Sequence, residues 1–181
     1  ANLGELRNGR SPSLNLESLY GAGPTGNPYL YDRNDADLLL IGETDRGRPY
    51  DVPRNAQGTA IIGDPRNDVH VPISQLHVAF VKFHNAVIRH LRAEGTPAPD
   101  VFSHAQRLVR WHYQWIVAHE YLPLVAGAEV VDDVLANGRG FYQFDEAPYI
   151  PIEFADAAYR FGHSQIRATY RLNASASARI F

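Results

Sequence analysis

Between Val71 and Leu91 the apolar residues Ile73, Leu76, Phe80, Phe83, Val87 and Leu91 recur at steps of three and four, the period of one helical face. Pro72 stands where a first-turn proline is tolerated, and Gly95-Thr96-Pro97 ends the run. A stripe this long has to be buried against other elements, so it commits the chain to a helical core. A second long helix is expected from about Val101 to Leu122, with Ala105, Leu108, Trp115, Ile116 and Leu122 apolar and Pro123 stopping it. Ala128 to Ala136 predicts a short third helix closed by Asn137-Gly138. The fourth, Ile152 to about Arg167, sets Ile152, Ala155, Tyr159, Gly162, His163 and Ile166 on one face. The fold class is therefore mainly α, with long irregular N-terminal loops.

Residues 1 to 70 hold much of the Gly, Pro and Asn, with short apolar runs at Leu38-Leu39-Leu40-Ile41 and Ala60-Ile61-Ile62. They read as loops with a short hairpin. So long an irregular stretch usually is functional or covers something else, and here it is expected to wrap a larger body. The tail from Asn173 to Ala178 reads as a linker or a truncated edge. Ala1 in place of methionine implies processing or a piece of a longer reading frame.

Composition narrows the function classes. The 181 residues are 45% hydrophobic and 20% charged with a net charge of −3, as in one soluble globular unit. Basic and acidic residues are interspersed without a basic run, which argues against nucleic-acid binding. No stretch approaches the roughly 20 apolar residues of a membrane span. Without cysteine, any metal must rest on His, Asp, Glu, Asn or carbonyl oxygen, and a thiolate-ligated haem is excluded within this chain. The sequence leaves the compartment undetermined, with a soluble, secreted protein among the readings.

Several residues offer chemistry. His163 lies on the apolar side of its helix directly after Gly162, which leaves room for something flat against the backbone. An imidazole so placed suits a haem iron that turns over peroxide, and equally a satisfied core histidine. Arg160, one turn earlier, can hold a haem propionate or form an ordinary i, i+4 bridge to Asp156. Arg66, in Gly63-Asp64-Pro65-Arg66-Asn67-Asp68, can stabilise charge as a peroxide bond breaks, or can pair with Asp64 or Asp68. His70, His77 and His84 recur every seven residues, and seven residues rise about 10.5 Å along a helix, too far for one ion. These, like His112 and His119, read as core-flanking or surface residues. His119-Glu120 fails as a zinc-protease motif because position 123 is proline. Ser11, Ser13, Asn15 and Glu17 alternate oxygen-bearing side chains, either for a hard cation such as calcium or as Asx and Ser turns.

Taken in order, Ser11 to Gly21, Ile62 to Asp68, Gln75 to Phe80 with Phe83-His84-Asn85, Tyr121-Leu122-Pro123 and Tyr159 to Arg167 resemble the animal haem peroxidase, or peroxidase–cyclooxygenase, family in its bacterial style. The resemblance covers nearly the whole chain. It implies haem b bound through His163 as the proximal iron ligand, with Arg160 as propionate partner and Arg66 as the distal-side arginine. The loop of Ser11, Ser13, Asn15 and Glu17 matches the family's calcium loop, with Asn15 where aspartate is usual. Val69 stands where mammalian members have a haem-esterifying glutamate, so that covalent link is not expected. The family's distal histidine lies upstream of the calcium loop and the asparagine partner of the proximal histidine downstream, so residues 1 to 181 resemble an internal third of such a domain, completed by flanking sequence.

The function so implied is a haem peroxidase that reduces hydrogen peroxide and oxidises a small donor or halide. A fatty-acid dioxygenase of the same superfamily would place its radical tyrosine where this chain has Arg160; Tyr159 is one position off, about 100° around a helix. A third reading is a non-catalytic binding or structural remnant lacking the distal histidine.

Overall fold

Two one-turn helices, α1 (Glu17–Tyr20) and α2 (Gly23–Gly26), lead into a long looped segment. The structure is a computed structural model that describes residues 13–144 and 148–179. It comprises two compact units, Leu14–Asp132 and one that takes up the chain from Asp133 onward.

In the first unit, isolated antiparallel bridges Tyr31↔Leu39, Gly42↔Asp51 and Arg54↔Ala60 tie the loops into consecutive turns, extending the short hairpin expected here. Charge clamps hold them: Arg92 reaches Asp35 and Asp37 at 2.6 Å each, and Arg54 joins Asp51 at 3.0 Å to Asp68 at 2.7 Å. The body these loops cover belongs to the same unit. Leu19 and Tyr20 of α1, with Leu30, Tyr31 and Leu39 from the looped segment, share one buried cluster with Val81 and Val109 from the long helices.

Those helices are α3 (Val71–Ala93) and α4 (Ala98–Ile116), which pack together across a short connection. The face that α3 buries overlaps the stripe read from the sequence: Phe80, Phe83, Val87 and Leu91 pack partly buried against the core, whereas Ile73 and Leu76 are exposed. The deepest positions, Ser74, His77, Val78, Val81, His84, Asn85 and Ile88, lie beside that stripe. Among them His84 and Asn85 satisfy loop backbone groups that an all-apolar face would leave unpaired. On α4 the buried residues are Val101, Ala105 and Val109, while Trp115 and Ile116 are exposed.

Pro123 does not stop the second helix. The chain passes through a π-helical turn (Val117–Tyr121), with Leu122 N–H bonded to the Val117 carbonyl, into α5 (Leu122–Ala126). A widened turn relieves the clash a proline ring makes with the preceding turn of an α-helix, so the proline is absorbed. The helix α6 (Ala128–Asn137) follows, as its spacing predicts.

In the second unit, the expected fourth helix is split into α7 (Ile152–Asp156) and a 3₁₀ segment (Ala158–Gln165), with the break at Ala157. No residue of either segment is buried, and short helices without a packed face are marginal in water. The tail is not a linker: β1 (Thr169–Arg171) pairs antiparallel with β2 (Ser177–Arg179) in the register Tyr170↔Ala178, closed by a turn around Asn173–Ala176. Mainly helical architecture is the outcome, as the period of the sequence requires.

Candidate functional site

Arg66 sits in a 3₁₀ turn (Pro65–Asp68) immediately before α3. Asp64 caps this turn by accepting from the Arg66 backbone N–H at 3.0 Å, and its carboxylate also receives the Arg66 guanidinium at 2.6 Å. Arg54 takes the Asp68 carboxylate in a bidentate pair, so of the two partners open to Arg66 in the sequence, Asp64 is the one engaged. The Arg66 side chain remains 69% exposed. Next to it, the Asn67 amide lies 3.1 Å from Nδ1 of His77, and both line a small cavity of about 160 Å³ with Leu19, Phe80 and Tyr113.

His163 lies in the 3₁₀ segment of the second unit and is exposed. A side chain built on Gly162 would meet nothing within 4 Å, so the backbone beside His163 faces open space. The Asp156–Arg160 bridge permitted by spacing is not formed among the described residues. Arg160 instead donates through Nε to the Ala155 carbonyl at 3.2 Å, because the helix breaks between the two residues and removes the i, i+4 geometry. Tyr159 is exposed and stacks at 5.6 Å on Phe154.

Ser11 lies outside the described residues. Of the loop's other oxygen donors, Asn15 and Glu17 turn toward each other, the Asn15 amide donating to the Glu17 carboxylate at 2.7 Å. The Asn15 carbonyl accepts from the Arg110 guanidinium at 2.7 Å. A fixed cation on a would-be ligand opposes calcium, and no cluster of three or more His, Cys, Asp or Glu residues suited to a metal occurs among the described residues. These contacts, those of Asx turns, give the calcium reading no support.

The model of the family described as animal haem peroxidase matches residues 5–180. The chain belongs to the animal haem peroxidase family. It is similar to thyroid peroxidase of Homo sapiens, 26% identical over 193 residues that cover 94% of this chain and 21% of that protein. Heme peroxidase 2 of Caenorhabditis elegans is 34% identical over 172 residues, 85% of this chain and 23% of its own length. Chorion peroxidase of Drosophila melanogaster is 28% identical over 117 residues, 61% of this chain and 14% of its own length. The chain spans about a fifth of the length of the first two relatives. No helix among the described residues is long and apolar enough to cross a membrane.

The chain also carries polar core residues whose roles the sequence did not reveal. His84, read as core-flanking or surface, is 0% exposed, with Tyr20 Oη 3.1 Å from its Nδ1 and the Asp37 carbonyl 2.9 Å from its Nε2. Asn85 accepts from Leu39 N–H and donates to Leu39 C=O, both at 2.8 Å. The signal was present: a second helical series, Val78, Val81 and Ile88, brackets His84 and Asn85, which marks polar residues at core positions.

Burial holds the His77 and His84 imidazoles below their ordinary value of 6.5. Below pH 6.5 the unfolded chain therefore binds protons that the folded chain refuses, and stability falls with pH. The midpoint of urea unfolding is expected to drop as pH is lowered through this window and to drop less in His84→Gln. A wild-type midpoint constant below pH 6.5 would show that these imidazoles are not held neutral.

Proposed function

We propose that this chain contributes haem-binding and peroxide-cleaving residues to a peroxidase that reduces hydrogen peroxide and oxidises a small donor or halide, with the rest of the domain supplied by flanking sequence. The observation that carries this reading is a single family match running through the Arg66 and His163 words in order. The residues fit haem b. An exposed imidazole beside open backbone at Gly162 suits a planar macrocycle and its iron. The terminal guanidinium nitrogens of Arg160 have no partner among the described residues and match a propionate in a bidentate fork.

When bound, haem supplies the redox chemistry, accepting oxidising equivalents from peroxide and passing them to a donor. His163 would hold the iron through an imidazole nitrogen, and Arg160 would hold the macrocycle through a propionate. Arg66 would supply a cation to stabilise the negative charge that develops as a peroxide bond breaks.

Titration of the chain with ferric haem, followed by optical absorption, is expected to give a saturable one-to-one spectrum of a histidine-ligated haem. In the completed domain, Arg66→Ala is expected to leave that spectrum intact and to slow the reaction with peroxide by on the order of 10²–10³-fold, the loss typical of one preorganised donor. No specific spectrum from either chain or completed domain refutes the haem reading, and an unchanged peroxide rate removes Arg66 from the chemistry.

A further inference from the structure

Tyr20 and His84 form a buried phenol–imidazole pair for which the proposed haem chemistry has no use. Each residue is 0% exposed, and Tyr20 Oη lies 3.1 Å from His84 Nδ1. The Asp37 carbonyl, 2.9 Å from His84 Nε2, can only accept, so Nε2 carries the proton of the neutral imidazole and Nδ1 presents its lone pair. The Tyr20 hydroxyl is therefore the donor. Its proton faces a neutral base inside the core.

In the ground state nothing moves. Burial pushes the Tyr20 phenol well above its ordinary range and holds His84 below its own, so charge separation is unfavourable. Removing one electron from the ring reverses this preference, because an oxidised phenol is a strong acid and the base is already in hydrogen-bond contact. The Arg110 guanidinium, 5.6 Å from the ring, disfavours positive charge there and so couples loss of the electron to loss of the proton. Asp37 favours the imidazolium that results. The Tyr31 hydroxyl is turned to the Tyr20 carbonyl at 2.8 Å, and the Phe102 ring, 6.2 Å from Tyr20 and 5.7 Å from His84, helps to close the site to water.

We propose that Tyr20 is a redox-active tyrosine: a one-electron oxidant takes an electron from its ring while the phenolic proton moves to His84 Nδ1, leaving a neutral tyrosyl radical and an imidazolium. The O–H bond breaks and an N–H bond forms, the oxidant is reduced by one electron, and re-reduction returns electron and proton to the phenol. The Nε2–H bond to Asp37 persists throughout, so the ring need not move. The class of oxidant is high-potential and one-electron, which a haem peroxidase would supply; that clause alone rests on the proposed function, and the chemistry of the pair does not. Tyr20 would then store an oxidising equivalent out of reach of solvent.

The test uses the chain without haem, oxidised by photogenerated ruthenium(III) tris-bipyridine and chased with ascorbate to clear radicals on exposed tyrosines and tryptophans. A tyrosyl electron paramagnetic resonance signal is expected to survive the chase, to couple to one exchangeable proton, and to form more slowly in D₂O. It should be lost in Tyr20→Phe, which removes one oxygen. His84→Gln retains an acceptor for Tyr20 and a donor for Asp37 but no base, and should lose most of the signal. No surviving signal in the wild type, an equal signal in Tyr20→Phe, or a full signal in a folded His84→Gln would each overturn the assignment. Should His84→Gln fail to fold, Tyr20→Phe and the D₂O rate still decide. Because no haem is present, failure here is distinct from failure of the peroxidase reading.

Discussion

The His163→Ala chain is expected to lose the histidine-ligated absorption spectrum that the wild type acquires on titration with ferric haem. The effect is all or none because iron ligation depends on one nitrogen, and alanine offers none. Specificity can be checked against other imidazoles of the same chain. His119 is exposed and stacks at 5.2 Å on Trp115, so it is available for adventitious ligation, yet His119→Ala is expected to leave the spectrum unchanged. His77 and His84 are buried and hydrogen-bonded through ring nitrogens, which removes them as competitors. Identical spectra for wild type and His163→Ala would refute the ligand assignment.

Asn85→Ala carries the largest expected loss of stability. The Asn85 amide behaves as a one-residue strand partner: Leu39 is bridged on one side to Tyr31, and on the other its N–H and C=O are both met by this side chain. Alanine leaves two backbone groups of a buried residue unpaired, at roughly 1–3 kcal/mol each, so unfolding should become easier by about 2–6 kcal/mol. Against a typical domain stability of about 5–15 kcal/mol, that is a large share. Urea unfolding measures it as a lower midpoint at unchanged slope. Asn85→Asp separates the two bonds: a carboxylate still accepts from Leu39 N–H but sets a second oxygen against Leu39 C=O, and is expected to be at least as damaging. A loss below about 0.5 kcal/mol for Asn85→Ala, the range of an ordinary surface change, would mean that the loop is held by other contacts.

The contrast between these two residues shows what kind of information was legible. Spacing and helix punctuation located α3 and α6 well, because Pro72, Gly95 and Asn137-Gly138 act through local backbone geometry. The same local logic failed at Pro123, where a single π-helical turn absorbed the proline, and at Ala157, where spacing predicted a continuous helix but no residue of the segment is buried. The site words around Arg66 and His163 stood out as motifs, yet spacing could not choose between Asp64 and Asp68 as partner of Arg66. That was settled by Arg54, which comes from another loop and occupies Asp68.

What the sequence by itself determined is the helical class, the family, and the residues to be tested for haem chemistry, since periodicity, order of motifs and residue type are properties of the chain alone. Only the tertiary structure decided which positions of α3 are buried deepest and what His84 and Asn85 do. The apolar stripe packs partly buried along the core, and beside it lie the residues whose polar groups pair with Tyr20, Asp37 and Leu39 from remote segments. A buried hydrogen bond exists only when both partners are brought together, and residues 46, 47 and 64 positions apart share no local signal that would announce it.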